Sequence, residues 1–335
     1  MRLKLSVFFL VTIVAFMSSC SKSDDKPKVA KQEVKALPGS VPEPTPIVIP
    51  ARISEVKGSV IDHVVPKKEK YKKGIFWRVE RPGYKPSFLL GTMHSPHPDV
   101  LALTKVISKQ FARTTILCTE IKMDLGAMGQ MQQALLYPAG QSLRQTIGDE
   151  MFNEVVKRVK HLGLDAKSVN RIKPWAVNMQ LGMPKPTGKL ALDMQLALNA
   201  SDQSKQLCGL EKIKEQIDVL SGLTETDQVR ALRITLKHYD KVQEMSVKLR
   251  KMYLSRNLAA MSNMVENSPV PVPKKDMEKM MFSFVIRRNI IMANRMQPYL
   301  KKGNVFFAVG ALHLPGKGGL LRLLEKQGYK LTRLY

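Results

Sequence analysis

Two histidines of this chain follow apolar segments at the same spacing. His94 ends the segment FLLGTMH at residues 88–94, and His313 ends FFAVGALH at residues 306–313. An apolar run of this length predicts a buried strand, and the glycine three residues before each histidine permits a sharp turn at the strand end. We therefore expect both imidazoles just beyond the carboxyl ends of strands, where open α/β sheets bind their ligands.

A carboxylate ends a third predicted strand, at Glu120 after residues 114–119. If the three strands are neighbours, His94, Glu120 and His313 meet at one edge of the sheet. Two imidazoles and a carboxylate with open coordination positions suit a divalent metal that activates water for hydrolysis. The alternative is that each histidine caps or packs locally and that the glutamate is solvated. His97 is a further imidazole, but its flanking prolines are typical of a loop.

The elements that would position these residues lie mostly at the two ends of the chain. Alternation at residues 75–80, a Pro-Gly turn and the strand 87–90 predict a β-hairpin, and further strands are predicted at 114–120, 205–210, 305–309 and 329–334. Between about residues 125 and 300 the apolar positions are mostly spaced as in helices. The predicted fold class is α/β (α+β): a central mixed sheet formed by the N- and C-terminal parts, with a large helical insertion.

The first residues are typical of an exported lipoprotein. A basic start, an apolar run to Met17 and the small residues before Cys20 predict a signal peptide at 1–19. The sequence MSSC at 17–20 resembles a lipobox, which implies acylation (palmitate) of Cys20. The alternative is an ordinary signal peptide with a chance cysteine. We expect the protein at a bacterial cell envelope, extracytoplasmic, and Ser21 favours the outer membrane if the host is Gram-negative.

Residues 20–70 are rich in proline and polar residues, which predicts an extended tether between the lipid and a domain spanning 71–335. The net charge is +26. The basic residues are scattered along predicted helices, and aromatic residues are only 6% of the chain. We therefore expect no nucleic acid as partner, and we favour anionic lipid or an anionic envelope polymer as the partner of the basic surface.

Apart from Cys20, only Cys118 and Cys208 remain in the sequence, and either a disulfide or two buried thiols is consistent with them.

The motifs together resemble those of the TraB/PrgY/GumN family, to which the Tiki proteases are related. The resemblance extends over roughly residues 74–335. It rests on the two Gly-x-x-His motifs, on Glu120 at a strand end, and on short matches elsewhere, namely FWRV at 76–79, KPW at 173–175, LD at 192–193, GLE at 209–211, RN at 288–289 and GGLL at 318–321. It implies an erythromycin esterase/ChaN-like fold, with a divalent-metal-dependent protease in the Tiki branch.

The resemblance also implies roles for particular residues. His94 and His313 would be metal ligands, Glu120 a ligand or general base, and Arg288 an oxyanion or substrate-carboxylate group. The alternative for Arg288 is an ordinary surface arginine. Asp193 and Glu211 match as well, and helix capping or a buried ion pair explains them equally.

The resulting hypothesis is a membrane-anchored, extracytoplasmic metal-dependent hydrolase, a protease or peptidase, using Mn²⁺, Co²⁺ or Zn²⁺. Two alternatives stay open. One is a binding protein without catalysis, for a small peptide or for haem, as the fold relative ChaN suggests. The other is an accessory protein that contacts envelope polysaccharide through its basic surface.

Overall fold

The structure, a computed structural model, describes residues 44–56, 60–64, 70–122, 124–183, 186–266, 268 and 274–335. The expected signal peptide, Cys20 and the first half of the expected tether lie outside these residues. Within the described residues, no helix combines the length and the apolar character needed to cross a membrane.

Six strands form one mixed sheet in the order β4-β3-β5-β2-β1-β6. The strands are β1 (Phe76–Glu80), β2 (Ser87–Thr92), β3 (Ile116–Ile121), β4 (Gln206–Glu211), β5 (Val305–Gly310) and β6 (Lys330–Arg333). The four strands β4, β3, β5 and β2 run parallel to one another, whereas β1 pairs antiparallel with β2 and with β6. The predicted mixed sheet and the hairpin of β1 and β2 are confirmed.

The sheet order brings the predicted site strands together. β5 lies between β3 and β2, so the carboxyl ends of the strands leading to His94, Glu120 and His313 share one edge of the sheet. β2 and β5 are buried over their whole length, which explains their continuous apolar sequences.

Helices account for most of the remaining described chain. They are α1 (Val60–Val64), α2 (Pro98–Leu101), α3 (Leu103–Arg113), α4 (Leu125–Leu135), α5 (Leu143–Ile147), α6 (Asp149–Val159), α7 (Ala166–Asn170), α8 (Pro174–Leu181), α9 (Leu192–Asp202), α10 (Ile213–Ser221), α11 (Glu225–Lys237), α12 (Tyr239–Leu254), α13 (Leu258–Glu266), α14 (Lys274–Met281), α15 (Arg287–Lys302) and α16 (Leu320–Lys326). A π-helical turn, Phe282–Ile286, joins α14 to α15. Helices α4 to α15 form the predicted insertion, but β4 lies inside it and adds an outer strand to the sheet.

The two cysteines left open by the sequence are bonded to each other. Cys118 in β3 and Cys208 in β4 are register partners on adjacent parallel strands, and their sulfur atoms form a disulfide. The disulfide thus fixes the pairing of the strand that carries Glu120 with the strand that carries Glu211.

Part of the expected tether packs on the domain. The Asn294 side chain of α15 accepts a hydrogen bond from the Ile47 amide at 2.9 Å and donates one to the Ile47 carbonyl at 2.7 Å. The side chains of Val60 and Val64 are buried in the main hydrophobic core. The described parts of the expected tether, 44–56 and 60–64, therefore contact the domain, although Val48 and Ile49 remain exposed.

Candidate active site

The glycines of the two motifs are required by close packing and not by a left-handed backbone conformation. Neither Gly91 nor Gly310 has a positive φ. A Cβ atom on Gly91 would lie 2.6 Å from a methyl group of Leu314, and one on Gly310 would lie 3.1 Å from Oε1 of Glu120. The predicted turn is present after Gly310, where β5 ends and a 3-10 turn over Ala311–His313 begins, whereas Gly91 lies within β2. The two glycines let the two motifs and Glu120 approach one another.

His313 is held in one tautomer by Asn289 of α15. The Asn289 amide nitrogen donates to the Gly318 carbonyl at 2.8 Å, which turns its Oδ1 toward Nδ1 of His313 at 2.6 Å. Because Oδ1 can only accept, His313 carries its proton on Nδ1 and presents a lone pair on Nε2. Burial, with a smaller contribution from the nearby Arg288, lowers the pKa of His313 to about 4 against the opposing effect of Glu120. The ring is therefore neutral at pH 7.

His94 lies beside a carboxylate, but without the hydrogen bond that holds His313. Nδ1 of His94 is 3.3 Å from Oδ2 of Asp193 in α9, which has no hydrogen-bond partner among the described residues, and the other oxygen of Asp193 accepts a hydrogen bond from the Thr92 hydroxyl. Nε2 of His94 is buried and has no hydrogen-bond partner among the described residues. In both motif histidines Nδ1 therefore faces an oxygen, hydrogen-bonded in His313 and at 3.3 Å in His94.

Glu120 lies between His313 and a buried arginine. Its Oε1 accepts the Gly310 amide at 2.7 Å and lies 3.7 Å from Nε2 of His313. Its Oε2 accepts from Arg288 at 2.6 Å and from Gln216 at 3.1 Å. Burial alone would raise the pKa of Glu120, but Arg288, His313 and the Gly310 amide together lower it to about 2. The carboxylate is therefore ionised at neutral pH.

Arg288 joins two carboxylates beneath the site. Its side chain is only 7% exposed, and it also binds Glu211 at the end of β4, with Nη2 to Oε2 at 2.6 Å. Gln216 bridges the same two glutamates. Four of the five guanidinium N–H groups are used, because Nη1 also donates to the Phe284 carbonyl at 3.3 Å.

Asp193 and Glu211 contact candidate site residues, although the sequence around them indicates no particular role. Asp193 lies in the first turn of α9 and Glu211 ends β4, positions where an ordinary helix-capping or ion-paired acid is common. Only the resemblance to a family set them apart. The sequence does not predict a role for Gln216, since nothing distinguishes a single glutamine on a helix from its neighbours.

His97, considered above as a third imidazole ligand, instead caps α2, where its Nδ1 accepts the Asp99 amide at 3.3 Å.

The helical insertion contributes directly to the site. The buried Tyr253 hydroxyl of α12 donates to the Gly91 carbonyl at 2.9 Å, which ties the insertion to the first motif. The π-helical turn before α15 ends one residue before Arg287, so it sets the rotation at which Arg288 and Asn289 face the sheet edge. Such turns are frequent at functional sites.

The donor chemistry fits a divalent metal, although no preformed cluster is present. Among the described residues, no three His, Cys, Asp or Glu side chains are grouped as a metal cluster. The 3.7 Å between Oε1 of Glu120 and Nε2 of His313 is nevertheless close to the roughly 3.3–3.5 Å expected for two ligands of one tetrahedral metal. Nε2 of His94 is an unpartnered nitrogen donor, but it is not grouped with Glu120 and His313 among the described residues. An oxygen beside Nδ1, as Asn289 provides for His313 and Asp193 for His94, is common around metal-bound histidines.

Comparison with known proteins identifies the family. The family model described as TraB/PrgY/gumN matches residues 75–333, which includes both motifs and every residue of the site. The chain belongs to the TraB/PrgY/gumN family. The resemblance inferred from the motifs is therefore confirmed.

The relatives include proteins named as metalloproteases. The chain is 23% identical over 307 residues to Metalloprotease TIKI1 of Danio rerio, covering 76% of this chain and 62% of that protein. It is 22% identical over 309 residues to human Metalloprotease TIKI1, with 76% and 61% covered. A bacterial relative, the uncharacterised protein YbaP of Shigella flexneri, is 23% identical over 249 residues, with 73% and 89% covered. The chain thus spans about three fifths of the TIKI proteins. No solved structure gives a significant match.

Proposed function

We propose that this protein is a metal-dependent hydrolase, a protease or peptidase, whose site consists of His94, Glu120 and His313. The observation that carries the proposal is the orientation of the two histidine rings: Nδ1 of His313 is hydrogen-bonded to Asn289, Nδ1 of His94 lies 3.3 Å from Asp193, and Nε2 of His94 has no partner among the described residues. Membership in a family with relatives named as metalloproteases supports it.

The geometry favours distinct roles for the polar residues. Nε2 of His94, Nε2 of His313 and Glu120 would hold the ion, and Mn²⁺, Co²⁺ and Zn²⁺ all suit such ligands. A bound divalent ion would polarise a substrate carbonyl and lower the pKa of a water. Glu120, with its lowered pKa, is better suited as an ionised ligand than as a general base. Arg288 acts as a positioning residue, since most of its donors already bind Glu120 and Glu211.

We further propose that the protein is anchored by lipid at Cys20 on the extracytoplasmic side of a bacterial membrane, the outer membrane if the host is Gram-negative. The disulfide between Cys118 and Cys208 supports an oxidising compartment. The net charge of +26 favours proximity to anionic headgroups or envelope polymers.

The test is cleavage of unstructured peptides by the purified protein. We expect cleavage that a chelator abolishes and that added Mn²⁺, Co²⁺ or Zn²⁺ restores. His313→Ala and Glu120→Gln should reduce the rate at least 100-fold, whereas His161→Ala, which removes an imidazole outside the site, should leave it unchanged. Peptide binding without cleavage under all metal conditions, or a Soret band on haem titration, would favour the binding-protein alternative. Polysaccharide binding that weakens with added salt and is unchanged in His94→Ala would favour the alternative of an envelope accessory protein.

A further inference from the structure

Gln216 of α10 donates hydrogen bonds to both glutamates that bind Arg288. Its Nε2 lies 3.1 Å from Oε2 of Glu120 and 3.0 Å from Oε2 of Glu211. Nη2 of Arg288 bridges the same two oxygen atoms, at 2.6 Å from each. Gln216 is only 2% exposed, and an amide nitrogen carries two hydrogen atoms. Both N–H donors of the Gln216 side chain are therefore used on the pair of carboxylates.

The two bridging nitrogens bind the same oxygen of Glu120. Its Oε2 accepts from Gln216 and from Arg288. Its Oε1 accepts the Gly310 amide at 2.7 Å and lies 3.7 Å from Nε2 of His313. Gln216 and Arg288 thus hold the Glu120 carboxylate with Oε1 on the side of His313, where the proposed metal ligands meet.

The charges of this cluster do not cancel. Two carboxylates share one guanidinium, and each of their four oxygens accepts an N–H hydrogen bond, as ionised groups do. Arg295 is near Glu211, but its two terminal nitrogens bind Glu215 at 2.7 Å, which neutralises it there. Since Gln216 is uncharged, it satisfies the carboxylate oxygens by hydrogen bonding and leaves one negative charge in excess.

We propose that Gln216 is a positioning residue for Glu120, which holds the two glutamates by hydrogen bonds while leaving one negative charge for the divalent ion. This inference rests on the proposed hydrolase function. A buried charge without a counterion is unfavourable, so the excess charge favours uptake of a cation. A lysine in place of Gln216 would also donate to both glutamates, but it would cancel that charge.

Three variants of the purified protein separate the hydrogen bonds from the charge. Gln216→Met keeps a long unbranched side chain and removes both donors, whereas Gln216→Lys keeps donors and adds a positive charge. The control is Gln228→Met, which removes another buried glutamine, whose Nε2 donates to the Leu223 carbonyl at 2.8 Å away from the site. Affinity for Zn²⁺ is measured by chelator competition, and the free energy of unfolding without metal by denaturant titration.

We expect Gln216→Met to weaken Zn²⁺ binding about 10- to 100-fold, as loss of a group that supports a metal ligand typically does. Gln216→Lys should weaken Zn²⁺ binding further, by roughly 100-fold or more, because a positive charge near the ion repels it strongly in the protein interior. Gln228→Met should lower the free energy of unfolding and leave Zn²⁺ affinity unchanged. A merely structural role of Gln216 would give the two methionine variants the same effects.

Two outcomes would overturn the proposal: a Zn²⁺ affinity of Gln216→Met equal to that of Gln228→Met, or Gln216→Lys binding Zn²⁺ as tightly as Gln216→Met. If Gln216→Lys does not fold, the comparison of the two methionine variants decides. A wild type that binds no Zn²⁺, Mn²⁺ or Co²⁺ would reject the metal-dependent hydrolase together with this inference. Metal binding by the wild type that all three variants retain would reject only the role of Gln216.

Discussion

The orientation of single side chains decides whether the two motif histidines can act as ligands. Asn289 fixes His313 through one hydrogen bond and is itself fixed by the Gly318 carbonyl. Loss of such a supporting group typically lowers metal affinity 10- to 100-fold. We expect Asn289→Ala to weaken divalent-metal binding by about that factor in a chelator-competition titration. Asn294→Ala, on the same helix but bound to Ile47, is the control and should have no effect. Equal affinities for the two variants would contradict the role of Asn289.

Arg288 is the residue on which the buried carboxylates depend. Its removal leaves Glu120 and Glu211 without their shared cation in the interior, and a buried charge left unpaired in this way costs about 3–5 kcal/mol. Arg288→Met should therefore lower the free energy of unfolding by about that amount in denaturant titrations at pH 7. Arg287→Met changes an exposed neighbour on the same helix and should cost less than about 0.5 kcal/mol. If Arg288→Met lowered the free energy of unfolding no more than Arg287→Met does, Glu120 and Glu211 would not depend on Arg288 for their stability.

Sequence reasoning identified the ligand candidates because their signal is local: an apolar run, a glycine and a histidine at fixed spacing. It could not identify the groups that support them. Asp193 lies about 100 residues after His94, and Asn289 lies 24 residues before His313. Nothing in the sequence around either residue indicates the contact. The reason for the glycines was also out of reach, because close approach is a property of the folded sheet.

At the scale of elements, β3 and β4 are held together by the disulfide as well as by their backbone hydrogen bonds. Cys118 and Cys208 are 90 residues apart in the sequence, and a cross-link of this kind typically contributes about 2–4 kcal/mol. We expect the double variant Cys118→Ala/Cys208→Ala to lower the free energy of unfolding by this amount. A reductant should destabilise the wild type to a similar extent and leave the double variant unchanged. A wild type insensitive to reductant would contradict this expectation.

The ion pair between Glu215 and Arg295 connects α10 to α15. Hydrogen bonds from Arg295, against the opposing effect of burial, lower the pKa of Glu215 from 4.5 to about 2. A lowered pKa stabilises the fold above pH 4.5, and this contribution is lost as the pH falls from 4.5 toward 2. Because both side chains are about one third exposed, we expect Glu215→Gln to cost only about 1 kcal/mol at pH 7.

The cost of Glu215→Gln should shrink as the pH is lowered to 3, measured as the difference in unfolding free energy from the wild type. Asp218→Asn, which removes the exposed pair with Lys214 on the same helix, is the control and should cost less at pH 7. A loss of unfolding free energy in Glu215→Gln that stays the same between pH 7 and pH 3 would contradict the lowered pKa of Glu215.

The sheet itself was predictable element by element, but its order was not. Alternating or continuous apolar runs identified all six strands, including β4 within the helical region. That β5 lies between β2 and β3 could not be read from the sequence, because strand order is set by packing between distant segments. The site depends on that order.

At the scale of the whole molecule, the two ends of the chain build the site and the insertion covers it. His94 and His313 are more than 200 residues apart in the sequence, yet β2 and β5 are adjacent. The N-terminal segment also takes part: the His63 carbonyl accepts the Gly318 amide at 2.9 Å, and the Gly318 carbonyl holds Asn289. The described part of the expected tether thus supports the loop that follows the second motif.

The central claim, that the two motif histidines hold a metal, is tested most directly by the metal content of the purified protein. Wild type and the double variant His94→Ala/His313→Ala are each loaded with Mn²⁺, Co²⁺ or Zn²⁺, freed of unbound metal and measured by inductively coupled plasma mass spectrometry, with His161→Ala as the control. We predict about one tightly bound ion per chain in the wild type and the control, and none in the double variant. Equal metal content in the wild type and the double variant would contradict the account.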